Sequence, residues 1–560
     1  MKNKISAKLL LGSLIFTSSP LALAAPKDEL RIAVNAEFDT IHPIVNTMAA
    51  GGLIQDAIMR PLVMITPDGK AQAELIKEIP TIENKKAQIF SDKTGKHLKA
   101  EIEFIENAKW GDGTPVTCKD LEAGWKIGGN ELVATPNRDD YANVKDIVID
   151  KTNLKKCTVI FDKPQYNFYV SFPRLLPAHL EMSVFEKYKG KVLSYERNSL
   201  YATKITEPGL YNGPYRVTEI KPGSHVVLVP NDKFYGKKPY FKKVIFKFIL
   251  NSTSMEANLI SGNVDMTSSS GMSFDQTLAF EKKVKSQNLP YEVKYVAGSM
   301  YAHIELNLDN SILKDLKVRQ ALNYAFNRAE MAKSFFDGKQ PPALHFSTPF
   351  DEWYTDDPKI ITLYPYSRMK AQRLLDDAGW KMGADGYRYK DGKKMSLTMT
   401  NVADNKMNEM IAVYLQNQWK QLGLEVVLKS FPARVFFGEI LRQRKFEMAA
   451  LTWVNSPNMV PAGTMSSEMV PSQGNGWAGH NRSGWRNKEV DKLLIQAIEE
   501  FDKTKRTEAM RKVLKLYTEE LPQLPSYYRS NTSIIPKGFK GYEMSGHNNS
   551  EYLRIENWHF

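Results

Sequence analysis

The sequence predicts an α/β protein built from more than one lobe. Strand-like and helix-like stretches alternate along the whole chain. At 560 residues, the chain exceeds what one ordinary core organises. Its composition is globular, 42% hydrophobic and 11% aromatic without low-complexity tracts. Neither an internal repeat nor a flexible linker is evident, so the lobes are expected to interleave along the chain.

The first 24 residues read as an export signal. Lys2, Lys4 and Lys8 form a basic start, Leu9 to Phe16 a short apolar core, and Ala22-Leu23-Ala24 a small-x-small cleavage pattern. Ala25 is the expected mature start. The apolar run is too short to cross a bilayer, and no later stretch approaches the roughly 20 apolar residues of a spanning helix. No cysteine lies near the cleavage site, which argues against a lipid anchor.

Leu30-Arg31-Ile32-Ala33-Val34 reads as the first strand, and Lys99 to Ile105 alternates as another. The Gly111-Asp112-Gly113 turn follows. Thr117, with Asp120 three residues on, resembles a capping box that opens a helix. Val318, Ala321, Leu322, Ala325 and Phe326 mark one buried helix face. Met407, Met410, Ile411, Tyr414, Leu415, Trp419 and Leu422 mark a longer one. Gly423 ends that helix, and Leu424 to Leu428 returns as a strand.

Cys118 and Cys157 are the two cysteines. They form either one bridge or two buried thiols; an exported protein meets an oxidising compartment, which favours the bridge. The formal net charge of +13 is dispersed, and three of its lysines lie in the leader. Without an arginine-rich arm or a recognition motif, nucleic acid is not an expected partner. There is no G-x-S-x-G, P-loop, H-E-x-x-H or C-x-x-C motif. His42, His179, His303, His345, His480 and His547 show no short metal-ligand spacing. The reading is therefore no enzyme, no catalytic residue, no metal and no cofactor.

Trp110-Gly111-Asp112-Gly113-Thr114-Pro115-Val116-Thr117, with Asp120, resembles the W-x-D-G-T-P-V-T-x-x-D segment of the extracytoplasmic solute-binding protein family 5. These are the peptide- and nickel-binding proteins of ABC importers. Tyr211 to Val217 resembles the family's N-G-P-Y turn, and Asn231 to Tyr235 its next segment. Leu259 to Asp265 and Asp315 to Leu322 resemble its L-x-x-G-x-x-D and D-x-x-V-R-Q-A-L stretches. Ala371 to Trp380, Asn487 to Asp491 and Leu524 to Tyr528 continue the match in order.

The resemblance implies a periplasmic-binding-protein type II-like fold, with two hinged α/β lobes, an additional lobe and a ligand cleft between lobes. Lobe I would comprise residues 25–51, 180–298 and 522–560. The extra lobe would be 52–179, with Leu175-Leu176-Pro177-Ala178-His179 as the return crossover. The second ligand-binding lobe would be 299–521. The implied function is a periplasmic receptor, expected as a monomer, that hands peptides or peptide-like solutes to an importer permease in the inner membrane. An extracytoplasmic enzyme on peptides or glycans, or a signalling receptor on the same fold, is the alternative.

In peptide-binding relatives the ligand backbone adds to extended segments of two lobes. The matching positions here are Glu37-Phe38-Asp39 and the exit of the strand Phe446 to Leu451, which carries Trp453. Glu37 is either a ligand contact or an exposed loop acid, and Trp453 either a cleft wall or core. Tyr527 and Tyr528 line the cleft or pack the core. Relatives place an aspartate after that tryptophan to hold the ligand's ammonium group; here Val454-Asn455-Ser456-Pro457 supplies no acid. Asn455 can only hydrogen-bond, so a buried ammonium group would need Glu37 or Asp39, or another acid that the sequence does not place. Asn327 replaces the acid usual in the V-R-Q-A-L helix, with no functional reading attached.

Overall fold

A computed structural model describes residues 28–560 except 137, 270, 404, 548 and 549. The leader and its cleavage site lie outside the described residues. Three main sheets organise the chain. The first has the strand order 266–267, 29–34, 243–248, 225–230, 215–221. Glu29–Val34 runs parallel to both of its neighbours. Leu30, Ile32 and Val34 are buried in a core completed by Tyr552, Ile555 and Trp558 from the far end of the chain. The lobe is therefore discontinuous in sequence, as interleaving requires.

The second sheet has the order 425–431, 396–402, 448–454, 291–306, 523–536. The capped helices pack on it. Asp315 caps Leu316–Tyr324 by accepting from the Lys317 backbone N–H, and Asn405 caps Lys406–Lys420 in the same way from Asn408. Ala321, Leu322, Leu415 and Trp419 are fully buried there, while Phe326 falls two residues past the helix end yet is also buried. Gly423 adopts a positive φ of 84°, and the strand begins at Glu425.

The third sheet, order 87–92, 95–103, 156–161, 144–149, is wholly antiparallel and has its own core around Trp110, Leu121 and Phe161. The Thr117–Asp120 capping box is present: the Asp120 carboxylate accepts from the Thr117 backbone N–H at 2.7 Å. A second Asp120 oxygen accepts from the Ala178 N–H at 2.8 Å, tying this unit to the return crossover. Burial pushes Asp120 up to about 6. Cys118 and Cys157 are bridged inside this core, joining the helix start to the strand Lys156–Phe161.

Two strands, Tyr291–Leu306 and Gln523–Pro536, pair antiparallel over nearly their full length. Tyr291 and Ile534 pack in a core beside the first sheet, whereas Ile304 and Leu524 sit in the core of the second. The same strand pair thus serves both lobes. Gln523–Arg529, within the segment expected in lobe I, pairs with the part of Tyr291–Leu306 that borders Met448–Val454. The ladder shifts register between Ala297 and Met300, around Gly298, where a Cβ would lie 2.4 Å from the Arg529 carbonyl oxygen.

Candidate functional site

A cavity of about 610 Å³ opens where the lobes meet. One wall is the helix Ala49–Ile58, through Gly52, Leu53 and Asp56. The chain around the third sheet adds Tyr141, Tyr169, Phe172 and Arg174, and the crossing strands add Met300 and Asn531. His547, Ser550 and Glu551 close it from the C-terminal segment. Its size falls within the roughly 300–1,000 Å³ of ordinary ligand sites.

Two carboxylates give this cavity its chemistry. Asp56 accepts from the Ser550 hydroxyl at 2.6 Å. Glu551 is buried and accepts from the Tyr542 hydroxyl at 3.3 Å. Burial pushes Glu551 up to about 7, and neighbouring Asp56 adds to the effect. Burial also raises Asp56, against hydrogen bonds from Ser550 and the field of Arg174. Arg174 is the exposed cation of the same wall. Arg60 is committed elsewhere: its guanidinium is fully buried, 2.6 Å from Glu556 and 3.6 Å from Glu74.

A second, narrow crevice lies on the second lobe. Trp453, Asn455, His480 and Arg482 form its outer wall, and Tyr301, His303, Glu305 and Gln523 its floor. Trp453 lies inside the strand Met448–Val454 rather than after it. Its ring faces His480 at 5.2 Å between centroids, and the Arg482 guanidinium sits 5.5 Å from its centre. Burial, then the charge of Arg482, holds His480 below its ordinary value. The Asn455 side chain donates to the Phe346 carbonyl at 2.9 Å.

The structure brings Trp453 and Asn455 together, but not the other expected site residues. Glu37 accepts from the Gly223 backbone N–H at 2.7 Å, and Phe38 packs edge-on against Phe248. Asp39 accepts from Thr40 and Thr47, at 2.8 and 2.9 Å. All three are held within their own lobe and line neither hollow. Tyr527 and Tyr528 belong to the core. Tyr527 is 5% exposed and packs on Phe336, while Tyr528 is 1% exposed and donates to the Ser347 carbonyl at 2.7 Å. Their alternation puts one on each face of a sheet that is covered on both sides. Asp56, Arg174, Glu305, Arg482 and Glu551 escaped the sequence reading, because nothing local distinguishes them.

Residues around the third sheet also touch the segments at 458 and 506. The Tyr166 hydroxyl donates to the Asn458 carbonyl, and the Asn458 side chain donates to the Gly69 carbonyl at 3.4 Å. Arg506 lies over the Tyr166 ring at 4.1 Å. Among the described residues, no group of three or more His, Cys, Asp or Glu could hold a metal ion, and no helix is long and apolar enough to cross a membrane.

Comparison with known proteins agrees with this architecture. The oligopeptide-binding protein OppA of Bacillus subtilis (strain 168) is 24% identical over 540 residues, 93% of this chain and 91% of that protein. The oligopeptide-binding protein from Thermus thermophilus, solved with a pentapeptide, superposes with a TM-score of 0.68 at 25% identity, covering 96% of this chain and 97% of that one. The periplasmic EDTA-binding protein EppA reaches a TM-score of 0.76 at 19% identity, covering 96% and 97%. Residues 100–474 match the family described as bacterial extracellular solute-binding proteins, family 5 Middle. The chain belongs to the family 5 extracellular solute-binding proteins.

Proposed function

We propose that this protein is a periplasmic receptor, exported by cleavage before Ala25, that captures peptides or peptide-like solutes between its lobes and delivers them as a monomer to an ABC importer permease of the inner membrane. The cavity at the junction of the lobes carries this reading. It is large enough for a short peptide, its walls come from several lobes, and it presents carboxylates and a cation together. Relatives named for oligopeptides and a neighbour solved with a pentapeptide support the ligand class. The expected division into lobe I (25–51, 180–298 and 522–560), the extra lobe (52–179) and the second lobe (299–521) accompanies this reading, with 523–529 moved to the second lobe because it pairs there.

Within it, Asp56 and Glu551 take the role first expected of Glu37 or Asp39. A ligand ammonium group buried in the cavity needs a carboxylate partner, and these two face the space. Native mass spectrometry of freshly purified protein, followed by incubation with a peptide library, tests the proposal. The expected result is a retained or captured peptide, returned unchanged. Cleaved products, or no mass shift with any peptide, would overturn it.

A further inference from the structure

The crevice beside Trp453 holds an unusual combination. Glu305 is 3% exposed, and one of its carboxylate oxygens, Oε1, has no hydrogen-bond partner among the described residues. The other oxygen is doubly engaged. His303 Nε2 lies 3.1 Å from it, and the Gln523 amide donates to it at 3.0 Å. Gln523 is itself oriented, because its Oε1 accepts from the Tyr517 hydroxyl at 3.1 Å and the Tyr301 hydroxyl at 3.3 Å. His303 is stacked on Tyr301, with centroids 4.6 Å apart. Glu305 is thus fixed by a buried network, with both donors spent on one oxygen. A buried carboxylate oxygen left without a donor is costly, and its position in a crevice offers a ligand the missing donor.

The opposite wall supplies the complementary charge. Arg482 is half-buried, and its guanidinium lies over Trp453 and in the field of Glu305. The pair is neutral in sum, one acceptor facing one set of donors. A cationic side chain would meet Arg482, an acidic one would meet Glu305, and an apolar one would satisfy neither. A carboxamide satisfies both: its N–H₂ donates to Glu305 and its C=O accepts from Arg482. The crevice, about 10 Å³, has room for no more than a water as it stands, so even a flat carboxamide enters only when Trp453 and Arg482, its partly exposed wall, give way.

We propose that Glu305 and Arg482, walled by Trp453, form a ligand side-chain subsite selective for a neutral carboxamide. This rests on the peptide-receptor reading above. The test uses tetra-alanine peptides in which one residue at a time is replaced by Gln, Glu, Lys or Leu, titrated calorimetrically into the full mature protein. At one position, the Gln peptide is expected to bind at least tenfold tighter than its Glu, Lys and Leu counterparts, the scale of a hydrogen bond to a charged group. Glu305→Gln leaves the crevice positive and should move the preference to Glu. Arg482→Gln leaves it negative and should move the preference to Lys. Thermal melts confirm that each variant is folded, and the Arg482 variant keeps the test alive if the buried Glu305 position proves intolerant. Peptides that bind with all four side chains within twofold at every position would overturn the subsite alone. Preferences unchanged in both variants would do the same. A panel in which no peptide binds would overturn the peptide reading beneath it.

Discussion

Replacing Glu551 by Gln is expected to change how both stability and ligand capture depend on pH. Glu551 is buried, and burial raises it from 4.5 to about 7. A carboxyl group held above its unfolded value favours the folded state while protonated. That contribution is complete below about pH 4.5 and is lost as pH rises through about 7. The two-and-a-half-unit difference corresponds to about 3 kcal/mol of stability lost by pH 8. Glu551→Gln keeps the shape and the neutral state, so the variant should lack this loss. Urea unfolding at intervals from pH 5 to 8 measures it, and the variant should become the more stable protein at the alkaline end. A ligand amine beside Glu551 would favour its ionised form, so capture near pH 7 should release a fraction of a proton. Calorimetry in buffers of different ionisation heat detects that release, which the variant should lack. A variant with the same pH slope as the parent would refute the assignment of this titration to Glu551.

Three other outcomes are expected. Thiol labelling of the denatured, unreduced protein should find no free cysteine, and replacing Cys118 and Cys157 by Ser should cost roughly 4 kcal/mol for a loop of this length, read from denaturant midpoints. Arg60→Ala removes the fully buried cation between Glu556 and Glu74 and leaves Arg554, 2.8 Å from Glu74 and 3.8 Å from Glu556, as their remaining partner; a loss of about 1.5–3 kcal/mol, the scale of a hydrogen bond to a charged group, is expected by the same measurement. N-acetylation of a bound peptide should weaken it in the parent protein and in Glu37→Gln or Asp39→Asn, but much less in Asp56→Asn, as titration calorimetry would show.

Much of the fold was legible because its determinants are local. The Thr117–Asp120 box, the Asp315 and Gly423 helix boundaries and the buried helix faces each lie within a few residues of one another. The site is different in kind. Glu305 and Arg482 are 177 positions apart and meet only because their segments flank the same sheet. Asp56 and Glu551 come from opposite ends of the chain. Glu37 and Asp39 were expected near the ligand because they lie in the segment after the first strand that matches the relatives' ligand-pairing segment, but backbone and hydroxyl donors within their own lobe already engage them. For Tyr527 and Tyr528 the sequence left cleft and core open; a sheet covered on both faces takes the core alternative, with no wall for either ring to line.

The paired strands that serve both lobes have a mechanical consequence. A hydrogen-bonded ribbon resists stretching along its length and sliding of one strand past the other, since either motion breaks several ladder bonds at once. It yields most easily by twisting or folding where the ladder is already interrupted, between Ala297 and Met300. Gly298 is packed against the opposite strand there, so the ribbon has little slack in any other direction. Motion about this point is therefore guided along a narrow path, and the two halves of the molecule return to the same registration each time they come together. A force drawing the lobes apart along the strands would load the whole ladder in shear, whereas one prying them open would act only at its weak spot.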